Sequence, residues 1–199
     1  MTPKRRLGIL GGTFDPPHIG HLVTAVNVRY ELALEVVLLV VANEPWQKIG
    51  DRPVTAVQHR LAMVHAAAEG FEGVEVDDRE IRRGGLSYTA DTLEELAAPD
   101  CELFVILGSD AAAGLHTWHR AEVVEKLATV AIVDRPGRAV PAGGSGPSGA
   151  RIEHVHAPAL DVSSTDIRRR VAEGRPIDVL TPPGVAAYVR GHRLYGVSR

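Results

Sequence analysis

Six short apolar runs constrain the fold of this chain most strongly, and several of them show no polar alternation. Strands buried on both faces of a parallel sheet have this pattern, because neither face meets water. Helix-like segments separate most of the runs, and this alternation predicts an α/β fold with a doubly wound, mostly parallel sheet. The predicted strands are LGIL (7–10), VVLLVVA (36–42), VEV (74–76), CELFVIL (101–107), TVAIV (129–133) and IEHV (152–155).

The helix-like segments show apolar residues at helical spacing. We predict helices at 20–33, 54–69, 89–96 and 121–128, and two more in SSTDIRRRVAEG and PPGVAAYVRG that form a small C-terminal helical part. Gly70 is expected to end the second helix. In the first two helices, the positions predicted to form the apolar stripe are Leu22, Ala25, Val26, Leu32, Val57, Leu61, Val64 and Ala68.

The length of 199 residues suits one domain with a sizeable core, so we predict a single domain over residues 1–199. Residues 135–151, RPGRAVPAGGSGPSGAR, interrupt the alternation with five glycines and three prolines. Such a composition cannot hold regular structure and predicts a flexible loop. A lid over a ligand site is one interpretation of this loop, and an inert surface insertion is the simpler one.

Composition and charge exclude several classes of protein. A net charge of -3 argues against a dedicated nucleic-acid binder, which is normally basic. The longest apolar run, residues 36–42, is far shorter than the roughly 20 residues of a membrane span. The apolar part of the N-terminus is too short for a signal peptide, and the single Cys101 cannot form an intramolecular disulfide. We therefore predict a cytoplasmic protein with no nucleic-acid or membrane partner.

A glycine-rich stretch, GGTFDPPHIGH (11–21), follows the first predicted strand and leads into the first predicted helix. In an open α/β sheet, ligands bind beyond the carboxyl ends of the strands. Glycines let the backbone approach a ligand, and a helix N-terminus offers N–H groups to a phosphate. The stretch is neither a P-loop, which needs Gly-Lys-Ser/Thr, nor the GxGxxG dinucleotide fingerprint. Its position and composition nevertheless predict an anion site.

His18 and His21 stand three residues apart in this stretch, so on a helix both rings lie on the same side. Three interpretations are open. The pair can be surface or capping histidines, which is the usual case for an arbitrary HxxH. A zinc site would need at least a third ligand, and none is obviously placed. Behind a glycine turn at the end of a strand, a phosphate ligand suits the pair best.

A second candidate anion site lies in the segment VSSTDIRRR near the C-terminus. Ser163 and Asp166 have the spacing of a capping box at a helix start. That role leaves Ser164, Thr165 and Arg168 unexplained, and hydroxyls at a helix N-terminus followed by a guanidinium suit an anion. Because successive residues of a helix point about 100° apart, at most one or two of the three arginines serve one ligand. We select Arg168.

These two motifs resemble those of the HxGH nucleotidyltransferase superfamily. GGTFDPPHIGH is similar to its HxGH signature, and SSTDIR is similar to its (I/V)SSTxxR motif. Two further stretches, GLSYTADTLEEL (85–96) and LGSDAAAGLHTWHRAEVV (107–124), resemble the bacterial nicotinate-nucleotide adenylyltransferase family. The similarity spans essentially the whole chain except residues 135–151. The resemblance implies a Rossmann-like nucleotidyltransferase fold and a role in NAD biosynthesis.

The activity implied by the resemblance is adenylyl transfer from ATP to nicotinate mononucleotide, which gives nicotinate adenine dinucleotide and pyrophosphate. The phosphate of the mononucleotide attacks the α-phosphate of ATP and is already an anion, so no general base is needed. Catalysis then consists of positioning and charge neutralisation. The resemblance implies that His18, His21 and Arg168 supply this neutralisation. It also implies that Mg²⁺ arrives with ATP, so we expect no metal site built by the protein.

The resemblance also assigns the ATP site. Asp110, in Gly108-Ser109-Asp110 at the end of a predicted strand, would accept the ribose hydroxyls, and its simpler interpretation is the N-cap of the next helix. Ser164, Thr165 and Arg168 would bind the β- and γ-phosphates. The full set of ATP-binding residues that the resemblance implies is Gly11, Gly12, Thr13, Phe14, Gly108, Asp110, Ser164, Thr165 and Arg168.

The nicotinate mononucleotide site implied by the resemblance consists of Asn43, Lys48, Tyr88, Thr89 and Trp118. Ser87-Tyr88-Thr89 precedes a predicted helix, whose first N–H groups would bind the nicotinate carboxylate. Trp118 would stack on the pyridine ring, and its alternative is a half-buried core aromatic. The stretch ANEPWQK (42–48) departs from the family, in which Pro-His-Lys or Pro-His-Arg is frequent, so Trp46 is unexpected.

Three other functions stay open on the sequence. The first is an adenylyltransferase of the same superfamily with another substrate. The stretches SYTADTL and GSD argue against phosphopantetheine as that substrate. Only an assay distinguishes nicotinamide mononucleotide from nicotinate mononucleotide. A non-catalytic nucleotide sensor would not need intact His18, His21 and Arg168. A metal-dependent hydrolase would need a ligand set that the sequence lacks. A homo-oligomer is common for this fold type, although no residue identifies an interface.

Overall fold

The structure is a computed structural model that describes residues 4–46, 53–134, 150–158 and 160–196. Its strands are β1 (Arg5–Gly12), β2 (Val36–Val41), β3 (Val74–Asp77), β4 (Cys101–Gly108), β5 (Ala128–Asp134) and β6 (Arg151–His156). They form one six-stranded sheet in the order β3-β2-β1-β4-β5-β6, and each neighbouring pair is parallel. The predicted doubly wound α/β fold is confirmed.

The helices of the described residues are α1 (Ile19–Glu31), α2 (Val57–Ala68), α3 (Arg79–Arg83), α4 (Thr89–Leu96), α5 (Ser109–Ala113), α6 (Ala121–Leu127), α7 (Ser164–Ala172) and α8 (Pro183–Gly191). Every predicted helix is present. The sequence did not predict α3 and α5, because a helix of five residues is too short to show an apolar stripe.

Helices cover both faces of the sheet at its centre, which explains the lack of alternation in strands such as β2. Ile9 of β1 and Val40 of β2 face one hydrophobic cluster, whereas Leu10 and Val41 face another. Helices α4 and α6 add side chains to the first cluster, and α1 adds side chains to the second. All six residues of β2 are buried as a result.

The observed stripes of the first two helices differ from the predicted ones at several positions. In α1, Val28 is buried and Val26 is 42% exposed, which reverses the prediction for Val26. In α2, the buried residues are Arg60, Met63, Val64 and Ala67. Val57, Leu61 and Ala68 are only partly buried. The physical reason in α2 is Arg60, a charged residue on the buried face that a pattern of apolar residues cannot reveal.

The C-terminal helical part packs on α2 through a third hydrophobic cluster. Ile167 of α7 and Val185 and Val189 of α8 join Met63 and Ala67 of α2 there, and all five are buried. The predicted small C-terminal helical part is therefore present. Its packing brings the first turn of α7 to the carboxyl end of β1.

Gly8, in the middle of β1, has no room for a side chain. A Cβ at this position would lie 2.9 Å from Leu34 Cδ1 and from Val37 Cγ2. We expect Gly8→Ala to lower the free energy of unfolding by about 1–3 kcal/mol through overpacking. Urea denaturation with an unchanged m-value measures this loss. Gly11→Ala is the matched control in the same strand, because nothing lies within 4 Å of its Cβ. An equal loss in both variants would contradict the overpacking argument.

Two sequence predictions fall on parts of the chain outside the described residues. Residues 135–149 of the predicted loop at 135–151 are among these, and so is Lys48. None of the described helices is long and apolar enough to cross a membrane.

Candidate active site

The glycine-rich stretch lies where the strand order of the sheet reverses. β1 ends at Gly12 and pairs with β2 on one side and with β4 on the other. In doubly wound sheets, ligands bind in the crevice at this point, beyond the carboxyl ends of the strands. Residues 11–18 are named the glycine loop. A Cβ on Gly12 would lie 3.0 Å from Cζ of Phe14, so any side chain there would displace this ring.

Phe14 anchors the glycine loop in the core. Its side chain is 2% exposed, and its backbone has a φ of 51°, in the left-handed region. The Phe14 ring meets the ring of His21 edge to face, with centroids 4.9 Å apart. Because the ring of Phe14 packs in the core, only its backbone is available for the predicted binding of phosphate.

The rings of His18 and His21 are stacked, with centroids 3.8 Å apart and planes inclined by 26°. His18 is the N-cap of α1, and its backbone N–H donates to Nδ1 of His21 over 3.1 Å. This bond requires an unprotonated Nδ1, so a neutral His21 ring carries its proton on Nε2. The capping interpretation is thus confirmed for His21. Capping also makes Nε2 an N–H donor, which suits a phosphate oxygen.

Gly20 separates the two histidines for a steric reason. A Cβ at this position would lie 3.0 Å from Nδ1 of His18 and 3.1 Å from Cγ1 of Val162. A side chain there would therefore require the His18 ring and Val162 to shift by a few tenths of an ångström. One helix donor expected at this anion site is already used, because the N–H of Ile19 donates to the carbonyl of Leu180 over 3.1 Å.

The start of α7 is hydrogen-bonded to the glycine loop. Ser164 Oγ donates to the carbonyl of Pro16 over 2.7 Å. Arg168 donates from Nη1 to the carbonyl of Asp15 over 2.6 Å and from Nη2 to Oγ1 of Thr165 over 3.0 Å. The two candidate anion motifs, almost a chain length apart in the sequence, therefore form one continuous site.

The other two arginines of α7 turn away from the glycine loop. Arg170 donates to the Asp166 carboxylate over 2.7 Å, and Arg169 also pairs with it. These two guanidinium groups hold the pKa of Asp166 below its usual value. Only half of the predicted capping box is present, because Ser163 Oγ accepts from the Asp166 N–H while the Asp166 carboxylate binds arginines. Arg168 is the arginine that reaches the glycine loop.

Asp110 lies just beyond the carboxyl end of β4. Helix α5 begins at Ser109 with Gly108 as its N-cap, so the interpretation of Asp110 as the N-cap is wrong. Asp110 is instead exposed in the first turn of α5. Because β4 is the direct neighbour of β1, this carboxylate stands at the same edge of the sheet as the glycine loop.

A cavity of about 200 Å³ opens beside the glycine loop. Gly11, Gly12 and Thr13 line one part of it, and Thr89 and Trp118 line another. Trp118 is half-buried and packs against the first hydrophobic cluster while it also lines the cavity. The interpretation of Trp118 as a half-buried core aromatic is therefore confirmed, and its stacking on the pyridine ring stays a prediction.

Three neighbouring aromatic rings, tilted against each other, lie near the cavity. The ring of Tyr88, the N-cap of α4, lies 4.1 Å from the ring of His119 and 6.4 Å from that of Trp46, measured between centroids. Trp46 lines the cavity together with Trp118. The residue that departs from the family pattern therefore faces the predicted pyridine site.

The loop after β2, residues 42–46, is named the β2 loop. Asn43 of this loop is hydrogen-bonded to the segment before α4. Its backbone N–H donates to Ser87 Oγ over 2.8 Å, and its Nδ2 donates to the carbonyl of Gly85 over 2.9 Å. The side-chain amide nitrogen of Asn43, a residue of the predicted mononucleotide site, is thus bound to the protein in this structure. Its predicted partner Lys48 lies outside the described residues.

Three buried charged residues at the site were not predicted as functional. Asp15 and Arg60 are each 1% exposed, and Glu80 is 7% exposed and lines the cavity. Glu80 Oε1 accepts from Thr92 Oγ1 over 2.7 Å and lies 3.9 Å from a guanidinium nitrogen of Arg83. Charged residues are rarely buried unless paired, and several of the partners come from remote segments, so no apolar pattern in the sequence indicated this burial.

Comparison with known proteins agrees with this arrangement. Residues 9–170 match the model of the cytidylyltransferase-like family. A probable nicotinate-nucleotide adenylyltransferase from Corynebacterium kroppenstedtii is 43% identical over 192 residues, covering 96% of this chain and 90% of the relative. A protein of the same description from Frankia casuarinae is 44% identical over 188 residues, covering 94% of this chain and 98% of the relative.

Solved structures show the same fold. The nicotinic acid mononucleotide adenylyltransferase of Plasmodium falciparum, complexed with NaAD, superposes with a TM-score of 0.76 at 18% identity, covering 96% of this chain and 97% of the other. A putative nicotinate-nucleotide adenylyltransferase from Vibrio parahaemolyticus has a TM-score of 0.68 at 20% identity, with coverages of 98% and 97%. On the evidence of its sequence relatives, this chain belongs to the nicotinate-nucleotide adenylyltransferase family.

Proposed function

We propose that this protein transfers the adenylyl group of ATP to nicotinate mononucleotide, forming nicotinate adenine dinucleotide and pyrophosphate. The observation that carries the proposal is the union of the two anion motifs, in which Arg168 binds the carbonyl of Asp15 in the glycine loop. In support of this, the guanidinium binds the same loop that ends at His18, the N-cap of α1. A site with two imidazoles and one guanidinium suits a ligand with several phosphates.

The chemistry asks the protein to align two phosphates and to neutralise charge. A phosphate oxygen of the mononucleotide attacks the α-phosphorus of ATP, the new P–O bond forms, and the bond to pyrophosphate breaks. We propose that His18, His21 and Arg168 neutralise the negative charge that moves towards pyrophosphate during this step. Fixed donors act without reorganisation at the moment of reaction, which is usually the largest contribution to such catalysis. Nε2 of His21 is well suited, because the bond from the His18 N–H makes it the donor nitrogen.

We assign the ATP side of the site to both phosphate motifs and the end of β4. The backbone of the glycine loop and the start of α7 would bind the triphosphate, and the exposed carboxylate of Asp110 would accept the ribose hydroxyls. Its position in the first turn of α5, beside the end of β1, supports this assignment. The assigned residues are Gly11, Gly12, Thr13, Phe14, Gly108, Asp110, Ser164, Thr165 and Arg168.

We assign the cavity to the nicotinate half of the other substrate. Helix α4 begins at Thr89, and the first N–H groups of a helix have no partner within it. A carboxylate is the ligand that such donors favour. Trp118 would stack on the pyridine ring, and the backbone of Tyr88 would help to fix the donors. Asn43 and Lys48 complete the proposed set on the side of the mononucleotide phosphate.

We propose that Mg²⁺ enters as a complex with ATP. Among the described residues, no group of three or more His, Cys, Asp or Glu side chains is arranged to hold a metal ion. Mg²⁺ commonly keeps several waters and binds through substrate phosphates, so a protein cage is not required. We also propose one catalytic domain, since α7 and α8 share a hydrophobic cluster with α2 and have no separate core. A cytoplasmic location is proposed with it.

The acid form of the substrate is expected to be preferred over the amide form by about 10- to 100-fold in kcat/KM. The reason is that the amide NH₂ would face N–H donors and leave them unpaired, at a cost of about 1–3 kcal/mol. Pyrophosphate release with ATP and Mg²⁺ measures the preference for nicotinate mononucleotide, nicotinamide mononucleotide and phosphopantetheine in parallel.

Each outcome of this assay decides between functions. Equal use of nicotinate and nicotinamide mononucleotide would show that the N–H groups of α4 do not select the nicotinate carboxylate. It would leave the proposed adenylyl transfer in place. A preference for phosphopantetheine would replace the proposed substrate. Binding of nucleotides without pyrophosphate release from any of the three would favour the non-catalytic sensor.

A further inference from the structure

Arg60 is the largest fully buried side chain in the described part of the protein, with 1% of its surface exposed. A buried guanidinium persists only where hydrogen bonds and opposite charge compensate for the loss of water. Burial lowers the pKa of Arg60, and the nearby carboxylate of Asp15 opposes this shift. The partners of Arg60 therefore decide why an arginine stands at this position.

All three nitrogens of the Arg60 guanidinium donate to backbone carbonyls. Nη1 donates to Thr13 over 3.0 Å and to Ala42 over 2.6 Å, Nη2 donates to Asn43 over 2.8 Å, and Nε donates to Thr55 over 2.9 Å. One planar group thus joins the glycine loop, the β2 loop and the segment before α2. The planar fork of arginine suits such multiple acceptors, whereas a lysine ammonium is a single point charge.

A second set of contacts fixes Asp15 of the glycine loop. Asp15 Oδ1 accepts from the Tyr195 hydroxyl over 2.8 Å, and Asp15 Oδ2 accepts from the Thr55 N–H over 3.4 Å. Burial and the charge of Asp15 raise the pKa of Tyr195, so its hydroxyl keeps the proton that it donates. A residue near the C-terminus therefore holds the carboxylate that faces Arg60.

We propose that Arg60 is a positioning residue that sets the spacing between the glycine loop and the β2 loop, and hence between the two reacting phosphates. The inference rests on the proposed function, in which the first loop binds ATP and the second binds nicotinate mononucleotide. Arg60 acts through the loop carbonyls rather than on a substrate. The position of the β2 loop also affects the segment before α4, because the N–H of Asn43 in this loop donates to Ser87.

A change in loop spacing has a different effect from the loss of a binding contact. Two substrates that each bind one loop keep most of their affinity when the loops shift relative to each other. A ligand that spans both loops loses the advantage of linked binding, and a reaction between the two substrates loses its alignment. A misplacement of about 1 Å reduces a rate by roughly 10²-fold.

The test is Arg60→Lys, which keeps the positive charge beside Asp15 and removes the planar fork. Calorimetry measures the affinities for ATP, nicotinate mononucleotide and nicotinate adenine dinucleotide, and steady-state kinetics measure kcat and both KM values. We expect the dinucleotide to bind at least about tenfold more weakly, each single substrate to change by less than about threefold, and kcat to fall by about 10- to 100-fold.

Arg79→Lys is the matched control. Arg79 is also a mostly buried arginine, but its guanidinium binds carboxylates rather than loop carbonyls: that of Asp77 through two nitrogens and that of Glu95. We expect all six quantities to stay within about threefold of wild type in this variant, since its guanidinium positions no substrate loop. An Arg79→Lys variant with the same pattern as Arg60→Lys would overturn the assignment of the effect to loop spacing.

Tyr195→Phe keeps the proposal testable if Arg60→Lys does not fold. It removes only the hydroxyl that binds Asp15, and we expect kcat to fall by about three- to tenfold with both KM values nearly unchanged. The proposal is overturned if folded variants bind the dinucleotide as wild type does, or if each single substrate weakens as much as the dinucleotide. A wild-type protein that forms no dinucleotide would instead contradict the proposed function.

Discussion

The His21→Ala variant is expected to lose about 10²–10³-fold in kcat, the range seen when one preorganised donor to transition-state charge is removed. His21 Nδ1 accepts the N–H of His18, which makes Nε2 the donor nitrogen. Alanine removes that donor and the stacked partner of His18 together. KM values should change much less, because the developing charge appears only in the transition state. Pyrophosphate release under saturating substrates measures the effect.

His21→Gln is the matched control for the structural role of His21. The side chain of His21 occupies the third position of a capping box, where glutamine commonly reaches back to the N-cap N–H. Alanine should therefore lower the free energy of unfolding by about 1 kcal/mol, and glutamine should restore most of it. We expect the kcat of His21→Gln to stay below about a tenth of the wild-type value. The glutamine amide replaces Nδ1 of His21 as the acceptor of the His18 N–H, but it does not replace Nε2 as the donor to phosphate. A His21→Ala enzyme within about tenfold of wild type would contradict the charge-stabilising role.

Arg168→Ala is expected to lower kcat/KM for ATP by about 10²–10³-fold. The guanidinium holds the carbonyl of Asp15 and the hydroxyl of Thr165, so its loss removes a cation and loosens the junction of the two motifs. Arg168→Lys should recover only part of the activity, because an ammonium cannot reproduce the planar fork. Initial rates with varied ATP at fixed nicotinate mononucleotide give the ratio.

Arg169→Ala supplies the control in the same helix. Arg169 is exposed and pairs with Asp166, and exposed ion pairs contribute about 0–1 kcal/mol to stability. We expect its kcat/KM for ATP to stay within about threefold of wild type, because the side chain points away from the glycine loop. Equal losses in Arg168→Ala and Arg169→Ala would show that general positive charge matters rather than the contact between the two motifs.

Interactions that are local in the sequence were the ones that could be predicted from it. The non-alternating run of β2 indicated a strand covered on both faces, because burial on both sides removes the need for polar residues. The spacing of His18 and His21 placed both rings together, because one helical turn brings them to the same side. The choice of Arg168 among three arginines depended on the same helical geometry, and its position beside the glycine loop agrees with it.

The tertiary structure alone decided which polar groups are buried and what they bind. The sequence assigned no role to Arg60, because its four acceptors come from three segments that meet only in the folded chain. Trp46 had no assigned position until the β2 loop brought it to the cavity. The short helices α3 and α5 depend on packing, since five residues cannot form a stable helix by propensity.

The sequence by itself determined the fold class, the two anion motifs and the family of this protein. Each of these follows from residues within about one or two helical turns or one strand of each other, where backbone geometry sets the distances. The union of the motifs into one site, and the buried Arg60 with its carbonyl partners behind it, were decided only by the tertiary structure. The physical reason is that a buried charge depends on partners brought from remote parts of the chain, and no local pattern records them.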